Sequence, residues 1–349
     1  MSIHFALLLF LLCANASRGY RPLRPAADVK FSAQYIEVET DFQLEVLRSV
    51  CLPSTLASSG EDGKPDTTLP PLVFLHGSFH SGECFGEHFM PHFSRKGFNC
   101  YSISMRGTSN SGMAKRAEDE KKVKVVEHVS DVMRVLEVIK DENADSPLPI
   151  IVAHSIGGII TMKILESEVA RNSLLGGAAL LCSVPPSGNG PMTGRFLRRD
   201  LRKAFKIVQG FVFKKALTDI ENARTLFFDS DKVSCTDEEV CYHMKKFEKD
   251  SKVSLDLADF APILPSVTMD KISGGAAWLK EVKKETLSLK RCVLGAGEDY
   301  IVDEEGIEEV AKYMGVNKIM IDGAPHDVML GGQWRKTADV LENWLESCI

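Results

Sequence analysis

The sequence predicts an α/β chain: a mostly parallel central sheet flanked by helices, with a helical cap insertion. Three observations predict it. Short β-branched runs alternate with helical patterns along most of the chain. One long stretch, 187–287, breaks the alternation with segments that read as helices. A β-branched run passes through Ser155 straight into a buried helical pattern, the context of a nucleophile on a sharp turn.

The elements follow in order. Residues 5–12 (FALLLFLL) are too short an apolar run to span a membrane, and the small-x-small pattern Ala14-Asn15-Ala16 follows them. A secretory signal peptide over 1–16 is expected. Residues 17–30 carry Arg18, Arg21 and Arg24 and no acid before Asp28, the composition of a flexible leader or transit segment. Secretion or delivery to a plastid through a two-part leader is the expected localisation. Alternating segments at 34–39 and 43–49 form a hairpin around Asp41. Buried strands are expected at 72–75, 99–104, 150–152, 178–182, 292–294 and 318–321. Val126, Val129, Met133 and Leu136 share one helical face; Val340, Leu341, Trp344 and Leu345 mark a C-terminal helix. The core is therefore 31–186 with 288–349. The insertion, 187–287, is too long for a loop and should be a helical cap.

Composition narrows the function. The 349 residues are 44% hydrophobic and 26% charged, with a formal net charge of −6, which argues against a nucleic-acid partner. Eight Cys remain after residue 16, with no metal-ligand spacing and no CxxC. Cys100, Cys182 and Cys292 lie in apolar runs and should pack as small hydrophobes; Cys235 and Cys241 are close enough in sequence to bridge. Past residue 17 no Asn-x-Ser/Thr acceptor occurs, which favours an organelle over secretion.

The chemistry centres on Val152-Ala153-His154-Ser155-Ile156-Gly157-Gly158. A strand-to-helix turn this tight needs small neighbours, which Ala153, Gly157 and Gly158 supply. A serine hydroxyl needs a base, and His326 stands on the loop after the last strand. The orienting acid is Asp299, after strand 292–294, with Glu298 and Asp303 as rivals. The order Ser155, Asp299, His326 matches that of one hydrolase superfamily. Ile156 N–H is one oxyanion donor. The other comes from His76-Gly77-Ser78-Phe79-His80, with Ser78 first and Phe79 next. His76, Gly77, His80, His154 and Gly157 are expected to support the site.

These motifs resemble the α/β-hydrolase superfamily across nearly all the chain after the leader. The matching residues are His76-Gly77, Arg106-Gly107, 153–158, Asp299 and His326. The loop 76–82 is similar to that of plant-type methylesterases and hydroxynitrile lyases, a resemblance that implies a Ser78 donor. Cap residues 223–228 resemble bacterial and plant lipase-like hydrolases. Ala153 replaces the usual first elbow Gly, and no acid precedes Arg106. The resemblance implies an α/β-hydrolase fold and a cofactor-free, metal-free serine hydrolase of carboxylic esters, esterase- or lipase-like. The alternatives are a lyase of the hydroxynitrile-lyase type on the same residues, or a small-molecule receptor. The expected partner is a small-molecule or lipid ester. In the cap, residues 195–215 read as a basic amphipathic helix suited to peripheral membrane contact. Phe211, Phe213, Phe227 and Phe228 are numerous enough to line an acyl pocket or to form the cap's own core.

Overall fold

Strand β1 (Val29–Glu39) turns at Asp41, whose φ is 62°, into β2 (Phe42–Cys51), and the two pair antiparallel. The computed structural model describes residues 28–51, 68–112, 122–229, 234–250, 254–255, 276–279 and 289–348. The expected signal, and the leader up to Ala27, lie outside the described residues. The leader's last two positions, Val29 and Lys30, already belong to β1.

The apolar runs become β3 (Leu72–Leu75), β4 (Cys100–Ile103), β6 (Ile150–His154), β7 (Gly177–Leu181), β9 (Lys290–Ala296) and β10 (Lys318–Ile321). They extend the hairpin into one eight-stranded sheet, β1-β2-β4-β3-β6-β7-β9-β10, antiparallel only from β1 to β4. Strands β3, β6 and β7 are buried along their whole length because helices cover both faces. Each buried aliphatic there gains about 1.5–3 kcal/mol over exposure. Such burial selects unbroken apolar runs over alternation. Cys100, Cys182 and Cys292 are buried thiols, as expected of small hydrophobes, and no disulfide joins Cys235 to Cys241.

On helix Val125–Glu142, Val129, Met133 and Leu136 of the expected face pack against the core, and Val126 departs from it. The helix buries Val125, Val132, Val135, Leu136 and Ile139, while Val126 is 52% exposed. Its inner face also holds Asp131, on which Arg106 forks with 2.5 and 2.6 Å bonds. A third bond from Arg106 reaches Glu39 at 2.6 Å, and the guanidinium lies 4.4 Å over Phe42. This ion pair holds the loop after β4 although no acid precedes Arg106 in sequence.

The described part of the cap is largely helical: Asn189–Arg199, Leu201–Phe211, Ile220–Phe227 and Asp237–Asp250. Two corrections apply. Residues 195–215 are not one helix. The chain breaks at Asp200, whose carboxylate caps the next helix by accepting from the N–H groups of Arg202 and Lys203. The cap also holds a two-residue strand, β8 (Ser254–Leu255), which pairs in parallel with β5 (Lys122–Val123) of the core. Residues 230–233, 251–253, 256–275 and 280–287 lie outside the described residues.

Candidate active site

The parallel strands end at one sheet edge, and the loops there carry the chemistry. Ser155 sits between β6 and the helix Ile156–Ile164, at φ 53° and ψ −118°. A non-glycine residue held so costs roughly 1–3 kcal/mol. The surroundings enforce it. Ser155 N–H donates to Leu181 O at 3.0 Å, and its own carbonyl accepts from Gly158 N–H at 3.0 Å. A Cβ at Gly157 would stand 2.7 Å from the carbonyls of Leu75 and His76, so the helix can approach β3 only with glycine there. Ala153 is fully buried in β6, paired with Leu75 and Leu180, and its methyl is accommodated.

The structure brings Ser155, His326 and Asp299 together. Ser155 Oγ lies 3.1 Å from His326 Nε2, and His326 Nδ1 lies 2.8 Å from Asp299 Oδ2. Asp299 is fixed through its other oxygen, which accepts from the N–H groups of Ile301 at 2.7 Å and Val302 at 2.9 Å. The rival acids face elsewhere. Glu298 is exposed; Asp303 caps the helix Glu304–Met314 and grips Arg195 with two 2.6 Å bonds.

Loop 76–80 runs against Ser155. A Cβ at Gly77 would lie 2.8 Å from Ser155 Cβ and 3.0 Å from His154 Nδ1. Glycine is thus needed for room; the positive φ of this loop belongs to Phe79, at 66°. His76 accepts from Met105 N–H at Nε2 (3.0 Å), so Nδ1 carries the proton and donates to Gly77 O (2.8 Å). Burial, above all, drives its pKa down to about 3, and the ring is neutral. Ile156 opens a helix, so its N–H has no intrahelical acceptor.

Two further histidines brace the His326 loop. His154 donates from Nε2 to His326 O at 2.9 Å; burial, then the nearby His326, holds it neutral with a pKa of about 3. His80 bridges Ser78 O (2.7 Å, from Nδ1) and Asp327 Oδ2 (3.0 Å, from Nε2). Asp327, fully buried beside His326, is not among the residues the sequence points to, where only its place after His326 marks it.

Overhead, Phe79, Phe211, Phe227 and Phe247 form a ring cluster, and Phe227 lies 6.4 Å from His326, centre to centre. Ser155 is 6% exposed beneath it. Phe213 does not join the cluster; it is 65% exposed on the outer surface. A cavity of about 390 Å³ opens beside Lys203, Asp299, Asp303 and Asp322, but its lining includes neither Ser155 nor His326. His154, His326 and Asp327, or Cys182, Asp299 and His326, lie close enough together to hold a cation. In the second set the Asp299–His326 pair is already a hydrogen bond, and burial pushes the Cys182 thiol well above its usual range, away from the thiolate a metal needs.

The profile of the Alpha/beta hydrolase family matches residues 72–340. No curated protein matches the chain. Among solved structures, an esterase from Exiguobacterium antarcticum superposes with a TM-score of 0.59 at 12% identity, covering 90% of this chain and 100% of that one. The 2-hydroxy-6-oxo-6-phenylhexa-2,4-dienoate hydrolase of Rhodococcus sp. strain RHA1 gives 0.59 at 14% identity, with 91% and 99% covered. A bromoperoxidase from Bacillus anthracis gives 0.57 at 14% identity, with 90% and 100% covered. At these identities the likeness is one of fold. With the profile spanning most of the chain, the protein belongs to the Alpha/beta hydrolase family.

Proposed function

We propose that the chain is a serine hydrolase of carboxylic esters, with Ser155 as nucleophile, His326 as base and Asp299 as orienting acid. One observation carries the reading: the unbroken contact from Ser155 Oγ through His326 to Asp299, at 3.1 and 2.8 Å. Ser155 Oγ attacks the acyl carbon as His326 Nε2 takes its proton. Asp299 holds Nδ1–H in place and stabilises the imidazolium. The oxyanion is held by the N–H of Ile156, at the positive end of its helix, and by that of Ser78. His326 returns the proton to the leaving alcohol, then draws one from water to free the acyl group. Carboxylic esters fit because the tetrahedral intermediate needs only backbone donors for its oxyanion and the His326 imidazolium to protonate the leaving alcohol.

The test is labelling with a fluorophosphonate, followed by a panel of esters of rising acyl length. The wild type should label and turn over esters, and Ser155→Ala should do neither while remaining folded. Labelling of Ser155→Ala at the wild-type rate would overturn the assignment. Labelling without ester turnover, together with cyanohydrin cleavage, would move the function to a lyase on the same residues.

A further inference from the structure

The helix Leu201–Phe211 has two working faces. Its inner face roofs the site: Lys203 Nζ donates to Asp299 O at 3.2 Å, and the Phe211 ring meets Phe79 edge-on at 5.1 Å. Its outer face carries Leu201, Phe205 and Val208, continued by Val212, at spacings of four, three and four residues, hence one stripe. Leu201 is 69% and Phe205 60% exposed; Leu197 on the preceding helix is exposed as well. The apolar arc of the helix is therefore wider than the cap covers, and a contiguous apolar ridge of this kind marks a contact surface.

Charge identifies the contact. Beside the ridge, Arg198 and Arg202 are exposed and make no ion pair among the described residues. In contrast, Arg195 and Arg199 are held by Asp303 and Glu305 of the core. A chain of net charge −6 thus presents a local basic rim around an apolar stripe. A second copy docking on the same ridge by twofold symmetry would bring two such basic rims into one interface, which is unfavourable. An anionic lipid surface accepts both parts: acyl boundary for the ridge, headgroups for the rim. No helix among the described residues is long and apolar enough to cross a membrane, so the contact is peripheral.

We propose that the ridge of Leu197, Leu201, Phe205, Val208 and Val212, with Arg198 and Arg202 at its rim, docks the protein on an anionic lipid surface. The docked helix is the one that roofs Ser155. An ester drawn from that surface would reach the site from the face where the lipid lies. That last step rests on the hydrolase reading; the docking does not.

The full chain tests it by co-sedimentation with phosphatidylcholine vesicles containing about 30% phosphatidylglycerol, or none. Wild-type protein should favour the anionic vesicles, and raising salt from about 0.1 to 0.5 M should weaken binding several-fold. Leu201→Glu/Phe205→Glu should lower the partition at least about tenfold, and Arg198→Glu/Arg202→Glu should abolish the preference for anionic lipid. Val208→Trp places a reporter on the ridge itself, and its emission should shift to the blue on binding, whatever other segments do. The proposal is overturned if that emission stays put, or if Leu201→Glu/Phe205→Glu turns a dimer into a monomer without changing vesicle binding. Turnover of a soluble short-chain ester is the separate readout. It should be unchanged in every ridge variant, and its absence in the wild type would sink the hydrolase reading alone.

Discussion

His80 and Asp327 form a buried ion pair beside His326. His80 Nε2 lies 3.0 Å from Asp327 Oδ2, and its Nδ1 lies 2.7 Å from the carbonyl of Ser78. Both partners only accept, so both ring nitrogens must carry protons, and His80 is an imidazolium. Burial opposes the charge. The attraction and hydrogen bond of Asp327, the Ser78 carbonyl and Asp250 outweigh it and raise the pKa of His80. Asp327 answers in kind: burial pushes its carboxyl up, but His80, with His154 and His326, brings it below its usual value.

A pH window follows, with a sign for each partner. A raised histidine pKa stabilises the fold below its unfolded value near 6.5, and that stability is lost as pH rises through the folded value. A lowered aspartate pKa stabilises above 3.8, and that stability is lost as pH falls through the folded value. Asp327→Asn leaves a charged ring without its counter-ion and should cost about 3–5 kcal/mol near neutral pH. Urea unfolding from pH 4 to 9 checks this. In His80→Gln the alkaline fall in stability should be shallower than in wild type. An unaltered alkaline limb would show that His80 is not charged.

Asp299, rather than Glu298 or Asp303, should prove essential. Asp299→Asn removes the acceptor for His326 Nδ1–H and should lower kcat on the order of 10⁴-fold. Glu298→Gln changes an exposed side chain and should leave kcat within about twofold. Asp303→Asn should instead cost about 1 kcal/mol of stability, through the cap to Gly306 and the clasp on Arg195. Steady-state kinetics and thermal unfolding of the three variants separate these outcomes.

What was legible in the sequence was local. Unbroken apolar runs mark strands buried on both faces, and the crowding around Ser155 shows as Ala153, Gly157 and Gly158. The order of Ser155, Asp299 and His326 then connects distant loops. Pairings made only by folding were not legible. Asp131 is buried on the inner face of the helix Val125–Glu142 because Arg106 forks on it, a pairing that no local pattern shows. His80 and Asp327 stand 247 residues apart. The break at Asp200 did have a signal, an aspartate directly before an apolar periodic run, which is a helix start. A continuous basic and apolar pattern on both sides hid it.

Gly77 should resist even the smallest change. In Gly77→Ala the new methyl would meet Ser155 Cβ at 2.8 Å, and neither the elbow nor the imidazole of His154 is free to retreat. The loop bearing Ser78 must move instead. A shift of about 1 Å in a positioning group can cost about 10²-fold in rate, and overpacking costs about 1–3 kcal/mol. Gly77→Ala should therefore lower kcat on a soluble ester about 10²-fold, with His326 and Asp299 intact. A variant as active as wild type would mean that the loop has slack the geometry does not show.

The ring cluster sets how often Ser155 can be reached. Phe211 belongs to the cap and meets Phe79 at 5.1 Å and Phe227 at 5.9 Å, while Ser155 is 6% exposed below. Substrate entry thus requires these rings to part. Each aromatic contact is worth about 0.5–1.5 kcal/mol beyond its buried area, so Phe211→Ala removes about 1–3 kcal/mol from the closed arrangement. If opening limits entry, the second-order rate of fluorophosphonate labelling should rise about 5- to 150-fold. Phe213→Ala, on the outer surface, should leave that rate unchanged. Phe227→Ala is a different case. Phe227 is almost fully buried, so truncating its ring should cost about 3–5 kcal/mol of stability. Equal labelling rates for wild type and Phe211→Ala would show that the cap opens by a route that leaves these rings in contact.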